Sequence, residues 1–139
     1  MRVTGTFEVA DFTPAAVPAP EIKTGLPVGV ATMSKRFAGG VSGRSATLFT
    51  AAYDAATETG TYVAMESFEG SVGGREGAFN FAHAATTRGG GREAEYLVIV
   101  PGSGTGALAG IRGGGGLAID ADGTHRVWFD YELGEPDRA

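Results

Sequence analysis

The sequence predicts an all-β fold, a small closed barrel of eight antiparallel strands, and two patterns support that prediction. Apolar and polar residues alternate in segments spread over most of the chain, as in strands with one buried face and one solvent face. Glycine accounts for 24 of the 139 residues and falls between these segments, as expected for turns and close backbone approaches. Eight such strands in up-and-down order can pair the exposed backbone groups of their two edge strands by closing into a barrel. A two-sheet sandwich is the alternative architecture.

The first half of the chain is predicted to contain four strands and one long loop. The first strand covers residues 3–9. Residues 12–27 follow as a proline-rich surface loop or a flap over one end of the barrel, because proline lacks the backbone N–H that a sheet needs. The next three strands are predicted at residues 28–37, 44–53 and 60–70.

The second half is predicted to contain the other four strands. Gly73-Gly74 supplies the positive φ angles of a tight hairpin, so residues 77–83 return antiparallel to the strand before them. Residues 96–100 are apolar at every position, which indicates a strand covered on both faces. The remaining strands are predicted at residues 107–119, where glycines interrupt the pattern, and at residues 125–133.

Length and composition exclude several classes of protein. Residues 1–139 are predicted to form a single domain that ends in a frayed tail, 134–139. The net charge of −5 argues against a nucleic-acid partner, which would require a basic surface. Without cysteine and with only two histidines, the chain is expected to hold no metal and no cofactor. No apolar run approaches the ~20 residues of a membrane span, so we expect no membrane partner and a cytoplasmic location.

One motif imitates a dinucleotide-binding fingerprint. Residues 102–107 match G-x-G-x-x-A and follow a strand-like segment. The fingerprint requires a helix after the glycines, because the helix N-terminus holds the pyrophosphate. Gly110 and the run at 113–116 disfavour a helix, since each interior glycine costs about 1 kcal/mol relative to alanine. The motif is therefore interpreted as a tight turn between neighbouring strands.

Short motifs, mostly in the second half, resemble those of a known bacterial family: Glu66 with Glu69-Gly70, residues 74–79, His83, residues 100–110 and residues 125–133. The family is the domain-of-unknown-function family 3224, whose members resemble the allene oxide cyclase barrel, a calycin-like fold of eight strands. The resemblance implies that fold and leaves the reaction open. Phe12 stands where such proteins often carry tryptophan, and Gly40 where an aspartate is usual.

The hairpin around Gly73-Gly74 carries the strongest candidate site. Pairing Val72 with Arg75 places Glu66 opposite Phe81 and brings six side chains to one face. This face is too aromatic for open water and is predicted to point inward. Its members are Tyr62, Glu66, Phe68, Phe79, Phe81 and His83.

Two interpretations of Glu66 and His83 remain open at this point. They can satisfy each other or backbone groups inside a filled barrel, because buried polar groups are normally paired. Alternatively, they contact a ligand or move a proton, because burial raises the pKa of a carboxyl group and prepares it for proton transfer. The candidate catalytic residues are Glu66, His83 and Tyr131, and the candidate ligand contacts are Tyr62, Phe68, Phe79, Phe81 and Phe129.

Two functional hypotheses follow from this site. The first is a barrel that binds one small, largely apolar molecule, with Glu66 and His83 as polar anchors. The second, implied by the resemblance, is a cofactor-free cyclase or isomerase acting on a reactive polyene, epoxide or polyketide. Trp128, predicted on the outer face, suggests a homo-oligomer, either a dimer or a trimer. His125 is interpreted as a solvated residue beside a turn.

Overall fold

A computed structural model describes residues 1–18 and 20–134. Within them, the only helical segment is a short 3₁₀ turn, Gly106–Leu108, and no helix is long and apolar enough to cross a membrane. The strands are β1 Arg2–Ala15, β2 Val28–Gly39, β3 Val41–Asp54, β4 Thr59–Val72, β5 Arg75–Arg88, β6 Gly91–Ile99, β7 Ile111–Ile119 and β8 His125–Leu133.

The eight strands form a closed ring. Each strand pairs antiparallel with the next along the chain, and β8 returns to pair with β1. The predicted all-β architecture of eight antiparallel strands is therefore confirmed, and the sandwich alternative is wrong. The joints differ in extent: β4 and β5 pair along their whole lengths, whereas β6 and β7 pair only through Val98↔Gly114 and Ile99↔Gly113.

Several strand boundaries differ from the prediction. β1 continues to Ala15 through a bulge between Ala10 and Thr13, where Asp11 takes a positive φ of 57°. A bulge absorbs an extra residue without ending the strand, so Pro14 still lies opposite Ala31. The loop predicted for 12–27 is therefore wrong for its first four residues. Of the tail predicted at 134–139, Gly134 is outside any strand and the other residues lie outside the described part of the chain.

The glycine-rich segment before β7 is a turn, as predicted, but it also replaces the first part of the predicted strand. Gly106 and Gly110 take positive φ angles on either side of Leu108, which is fully buried. Strand structure therefore begins at Ile111 rather than at residue 107. No α-helix follows the glycines of the nucleotide-like motif within the described residues.

The close approach of β8, which carries Trp128, accounts for three of the glycines in β7. The ring of Trp128 covers the backbone of Gly116, where an added Cβ would overlap the indole, and Arg2 lies 6.0 Å from the ring centroid. Cβ atoms added at Gly113 and Gly115 would overlap backbone carbonyls of β8. A side chain at any of these three glycine positions would therefore push β7 away from β8. Trp128 is half-buried, so it presents less free surface than the predicted oligomer contact assumed.

The interior of the ring differs between its two ends. The filled end, which contains the β2–β3 and β4–β5 turns and the 3₁₀ turn, is packed with aromatic and aliphatic side chains. Phe68 lies with its ring centroid 5.2 Å from Phe79 and 5.4 Å from Phe37, at the spacing of favourable aromatic pairs. The open end contains the β1–β2 loop and the β3–β4, β5–β6 and β7–β8 turns.

Candidate functional site

The β4–β5 hairpin has the register predicted from its turn. Gly73 and Gly74 take φ angles of 58° and 83°, and Glu66 lies opposite Phe81. The inward face is also as predicted, because Glu66 is 0% exposed and His83 is 4% exposed. Both polar groups therefore lie inside the ring.

Glu66 is bonded on both of its carboxylate oxygens. Its Oε2 accepts from Lys35 Nζ at 2.5 Å and contacts His83 Nε2 at 2.5 Å. Its Oε1 accepts from Ser45 Oγ at 2.6 Å. Lys35 on β2 and Ser45 on β3 are both 5% exposed, so the cluster joins four consecutive strands inside the ring.

These contacts reverse the pKa shift that burial alone predicts for Glu66. Burial raises the pKa of the carboxyl group, but the hydrogen bond from His83 and the charge of Lys35 outweigh it and lower the pKa to about 2. Burial also lowers the pKa of His83, although its hydrogen bond to Glu66 opposes that shift. Near neutral pH, Glu66 is therefore ionised and His83 neutral. The expectation of a raised Glu66 pKa was wrong because burial is outweighed by the hydrogen bond from His83 and by the charge of Lys35, a residue that the sequence argument did not place there.

The protonation states fix the direction of the hydrogen bonds. An ionised Glu66 requires the proton of neutral His83 on Nε2, which leaves Nδ1 as an acceptor. The Tyr62 hydroxyl lies 2.8 Å from this Nδ1 and donates to it. Arg92 Nη2 donates to the same phenol oxygen at 3.3 Å, and Arg92 Nε binds Glu95 at 2.8 Å. A continuous chain of hydrogen bonds thus leads from buried Glu66 to Tyr62.

A bulge in β6 turns Arg92 inward. Leu97 faces the interior, so strict alternation would place Arg92 on the outer face. The register shifts between Ala84 and Thr86 of β5, opposite Ala94 with its positive φ of 52°. Such a bulge re-aims the side chains that follow it, and Arg92 pairs with inward-facing Thr87.

A cavity of about 150 Å³ lies at the open end, next to this hydrogen-bond chain. Its apolar wall includes Phe7, Val9, Met33, Phe49, Leu117 and Ile119, and its polar wall includes Lys35, Thr47, Tyr62, His83, Arg92 and His125. Thr47 is 1% exposed, and its hydroxyl has no hydrogen-bond partner in the described part of the chain. Glu66 lies behind Lys35 and His83.

A second groove of about 320 Å³ adjoins the cavity. Phe49 and Tyr62 line both spaces, with their rings stacked at a centroid distance of 5.2 Å. The outer groove is mainly apolar and includes Phe12, Ala51 and Tyr53. This aromatic pair therefore forms the boundary between an inner, partly polar space and an outer, apolar one.

The structure separates the predicted site residues into two groups. Tyr62 and His83 line the cavity with Glu66 behind them, and Phe81 stacks on His83 at a centroid distance of 5.8 Å. Phe129 lies against Phe81 at 5.2 Å. Five of the predicted residues belong to the packed core and do not line this cavity: Phe68, Phe79, Phe81, Phe129 and Tyr131. In the described residues, no hydrogen bond joins the Tyr131 hydroxyl to Glu66 or His83.

The sequence argument missed most of the polar wall. Lys35 follows Ala31 and Met33 on the apolar face of β2, a pattern in which a charged residue signals a buried ion pair. Thr47 likewise follows the inward alternation of β3. His125, expected in solvent, instead stacks on Phe7 at a centroid distance of 5.1 Å and lines the cavity, so that interpretation was wrong.

The fold and its sequence are shared with an uncharacterised group of proteins. A family model described as "Protein of unknown function (DUF3224)" matches residues 3–131. A crystal structure of a protein of unknown function from this family, from Shewanella oneidensis MR-1, is similar with a TM-score of 0.84 and 30% sequence identity. The similarity covers 97% of this chain and 98% of that one. The curated proteins include no significant match.

Proposed function

Because the chain belongs to the DUF3224 family, whose function is unknown, we propose a function from its own residues: it binds a small, largely apolar molecule at the open end. The observation that supports this proposal is the combination of a mainly apolar cavity with a buried polar cluster behind it. Ligand pockets usually have this composition, with a few fixed polar groups in a hydrophobic wall.

The size of the cavity favours a ligand with one ring. A dry engineered cavity of about 150 Å³ accommodates benzene, which sets the scale for the inner space. The outer groove, with Phe12 and Phe49 in its wall, offers an apolar surface for a longer molecule. The hydrogen bonds among Glu66, His83 and Tyr62 fix the polar wall before any ligand enters, so little ordering accompanies binding.

A titration with a neutral aromatic probe tests this proposal. Indole added to the protein is expected to shift the methyl NMR signals of Met33 and Leu117 in a saturable way, while those of Val72 and Leu108 at the filled end stay unchanged. Leu117→Trp fills the cavity and is expected to abolish the shift of Met33, the reporter that remains in this variant. Leu48→Trp, which is exposed on the outer face, is the matched control and should leave both shifts intact.

Two results would contradict binding at the open end. Unchanged methyl signals in the wild-type protein at millimolar indole would exclude a site for ring-sized molecules. Saturable shifts that survive Leu117→Trp would place the site elsewhere in the molecule.

The hydrogen-bond chain from Glu66 to Tyr62 supports a second candidate function, a cofactor-free isomerase or cyclase like the allene oxide cyclase barrel. Tyr62 lines the cavity and donates to His83, while ionised Glu66 stabilises the imidazolium that would form when His83 takes the Tyr62 proton. Arg92, which already donates to the phenol oxygen, would stabilise the resulting tyrosinate. We therefore propose Tyr62, rather than Tyr131, as the hydroxyl that takes part in proton transfer.

A small unsaturated ketone distinguishes the two functions. Isomerisation of a β,γ-unsaturated cyclohexenone to its conjugated form is followed by absorbance, and Tyr62→Phe is expected to abolish it while indole binding remains. Glu66→Gln is expected to lower turnover with binding retained. Turnover that is unaffected by Tyr62→Phe would exclude proton transfer by this chain.

The predicted homo-oligomer is also a proposal, and its basis moves from Trp128 to the outer face of β3 and β4. Leu48 and Met65 lie opposite each other there, 63% and 45% exposed, and Val63 is 58% exposed. A second copy of this face would bury them. Light scattering should show a dimer or trimer that dissociates in Leu48→Lys; a monomeric wild-type protein would contradict it.

The cytoplasmic location and the lack of a cofactor stay predictions.

A further inference from the structure

The cavity wall presents hydrogen-bond donors that the protein does not use. Thr47 is 1% exposed and its hydroxyl has no partner among the described residues. The Lys35 ammonium carries three N–H groups, and in the described structure Glu66 Oε2 is its hydrogen-bond acceptor. Arg92 has five N–H groups, of which those on Nε and one on Nη2 bind Glu95 and Tyr62. A buried donor without an acceptor is costly, so the donors of Thr47 and Lys35 are suited to a ligand atom, while the more exposed Arg92 adds free N–H groups at the cavity wall.

The acceptors near the cavity are already used. Glu66 accepts on both oxygens, from Ser45 on one side and from Lys35 and His83 on the other. His83 Nδ1 accepts from Tyr62. The described wall of the cavity contains no Asp or Glu, whereas it contains Lys35 and Arg92. A ligand amine would therefore meet the cations of Lys35 and Arg92 with the Thr47 hydroxyl as a free acceptor, whereas a ligand oxygen would meet several free donors.

We propose that the ligand is a small carboxylic acid whose carboxylate binds Thr47 and Lys35 at the inner end of the cavity. Its apolar body then lies against Phe7 and Phe49 and extends toward the outer groove. This inference rests on the proposed binding function and specifies its ligand class. Charge-assisted hydrogen bonds to a carboxylate are roughly twice as strong as neutral ones, which favours the acid over a neutral carbonyl compound. The attraction for the carboxylate comes from these local N–H and O–H donors, since Lys35 and Arg92 are each already paired with a carboxylate and the whole chain carries a net charge of −5.

A matched pair of ligands tests the carboxylate directly. Phenylpropanoate and phenylpropanamide have the same shape and differ in the charge of the head group. Calorimetry at pH 7 is expected to show the acid binding about tenfold more tightly than the amide, the factor that one additional charge-assisted hydrogen bond provides. The acid should shift the Leu117 methyl signals, which locates it at the open end.

Thr47→Val is the variant that isolates the proposed contact. It keeps the shape of the side chain and removes the unpartnered hydroxyl, so it is expected to weaken binding of the acid about tenfold, the order of one hydrogen bond to a charged group. The affinity for the amide should fall less. Thr50→Val, three residues along β3 and exposed, is the matched control and should change neither ligand. The folded state of Thr47→Val should be at least as stable as wild type, because the variant removes an unsatisfied polar atom.

The outcomes separate this inference from the proposed function. Equal affinity for acid and amide would overturn the carboxylate assignment and leave binding of apolar molecules intact. A preference for the acid that is undiminished in Thr47→Val would also overturn it, since the hydroxyl of Thr47 would then make no contact with the carboxylate. If neither phenylpropanoate, phenylpropanamide nor indole shifts the open-end signals, both proposals fail.

Discussion

Lys35 and His83 bind the same oxygen atom, Oε2 of Glu66, each at 2.5 Å. One donor comes from β2 and the other from β5, so a single buried carboxylate links side chains across the interior of the ring. With Ser45 on the other oxygen, Glu66 accepts three hydrogen bonds, and because it is 0% exposed and does not line the cavity, a substrate there would not reach it. Its role in this structure is to hold Lys35 and His83 in place, and the chemistry facing the cavity belongs to its partners.

Glu66→Gln is expected to lower the free energy of unfolding by about 3–5 kcal/mol, because removing one partner leaves the other charge buried and uncompensated. Urea unfolding at pH 7 measures the loss. Glu69→Gln on the same strand is the matched control: its pair with Arg44 is exposed, and such pairs contribute roughly 0–1 kcal/mol.

The double variant Lys35→Met with Glu66→Gln is expected to be more stable than Glu66→Gln alone. Lys35→Met removes the ammonium group that Glu66→Gln leaves without a counter-charge, so the two losses of stability are not additive. If the losses simply add, Lys35 and Glu66 are not energetically coupled and the account of the cluster is wrong.

Stability is expected to fall as the pH is lowered from 7. The folded-state pKa of His83 is below its usual 6.5, so below that pH the unfolded chain binds a proton that the folded chain does not. Glu66 adds a second loss between pH 4.5 and about 2, because its folded-state pKa is also lowered. Each such proton lowers stability by up to about 1.4 kcal/mol per pH unit.

Urea unfolding from pH 7.5 to pH 3 measures this dependence in the wild type and in His83→Gln. The glutamine keeps an N–H donor for Glu66 and does not titrate, so the difference between the two proteins is expected to shrink as the pH falls below 6.5. A difference that stays constant over this range would show that the folded-state pKa of His83 is not lowered.

Two phenylalanine substitutions, one at each end of the ring, are expected to differ in their effects on stability and on binding. Phe68→Ala at the filled end opens a cavity in close packing and is expected to cost about 3–5 kcal/mol, while indole binding stays unchanged. Phe49→Ala at the open end removes a half-buried ring that lines both spaces, so it is expected to cost less and to weaken binding. Equal effects of the two variants on binding would contradict the division of the interior.

Gly115→Ala is expected to destabilise the ring by about 1–3 kcal/mol, because the added Cβ overlaps the backbone carbonyl of Trp128 and must separate β7 from β8. Gly29→Ala on β2 is the control, since nothing lies within 4 Å of its added Cβ. Thermal unfolding compares the two variants. A neutral Gly115→Ala would show that the close approach of the two strands is not required.

The sequence predicted what short-range geometry determines. The two-glycine turn at Gly73-Gly74 sets the register of the following strands, so the inward position of Glu66 and His83 followed from local pairing. Lys35 lies on β2, two strands away from Glu66, and Arg92 faces inward only because of a bulge at Ala94. The alternation of β2 indicates that Lys35 is buried but does not name its partner, and the inward turn of Arg92 has no short-range signature.

The short pairing between β6 and β7 has a consequence for how the ring opens. Because only Val98↔Gly114 and Ile99↔Gly113 pair these strands, separating them breaks far fewer backbone hydrogen bonds than separating β4 from β5. Amide protons there should exchange with deuterium faster than those of β4. Partial opening of the ring is therefore expected to begin at this joint, and the proposed ligand would gain a second route there while the rest of the sheet stays paired.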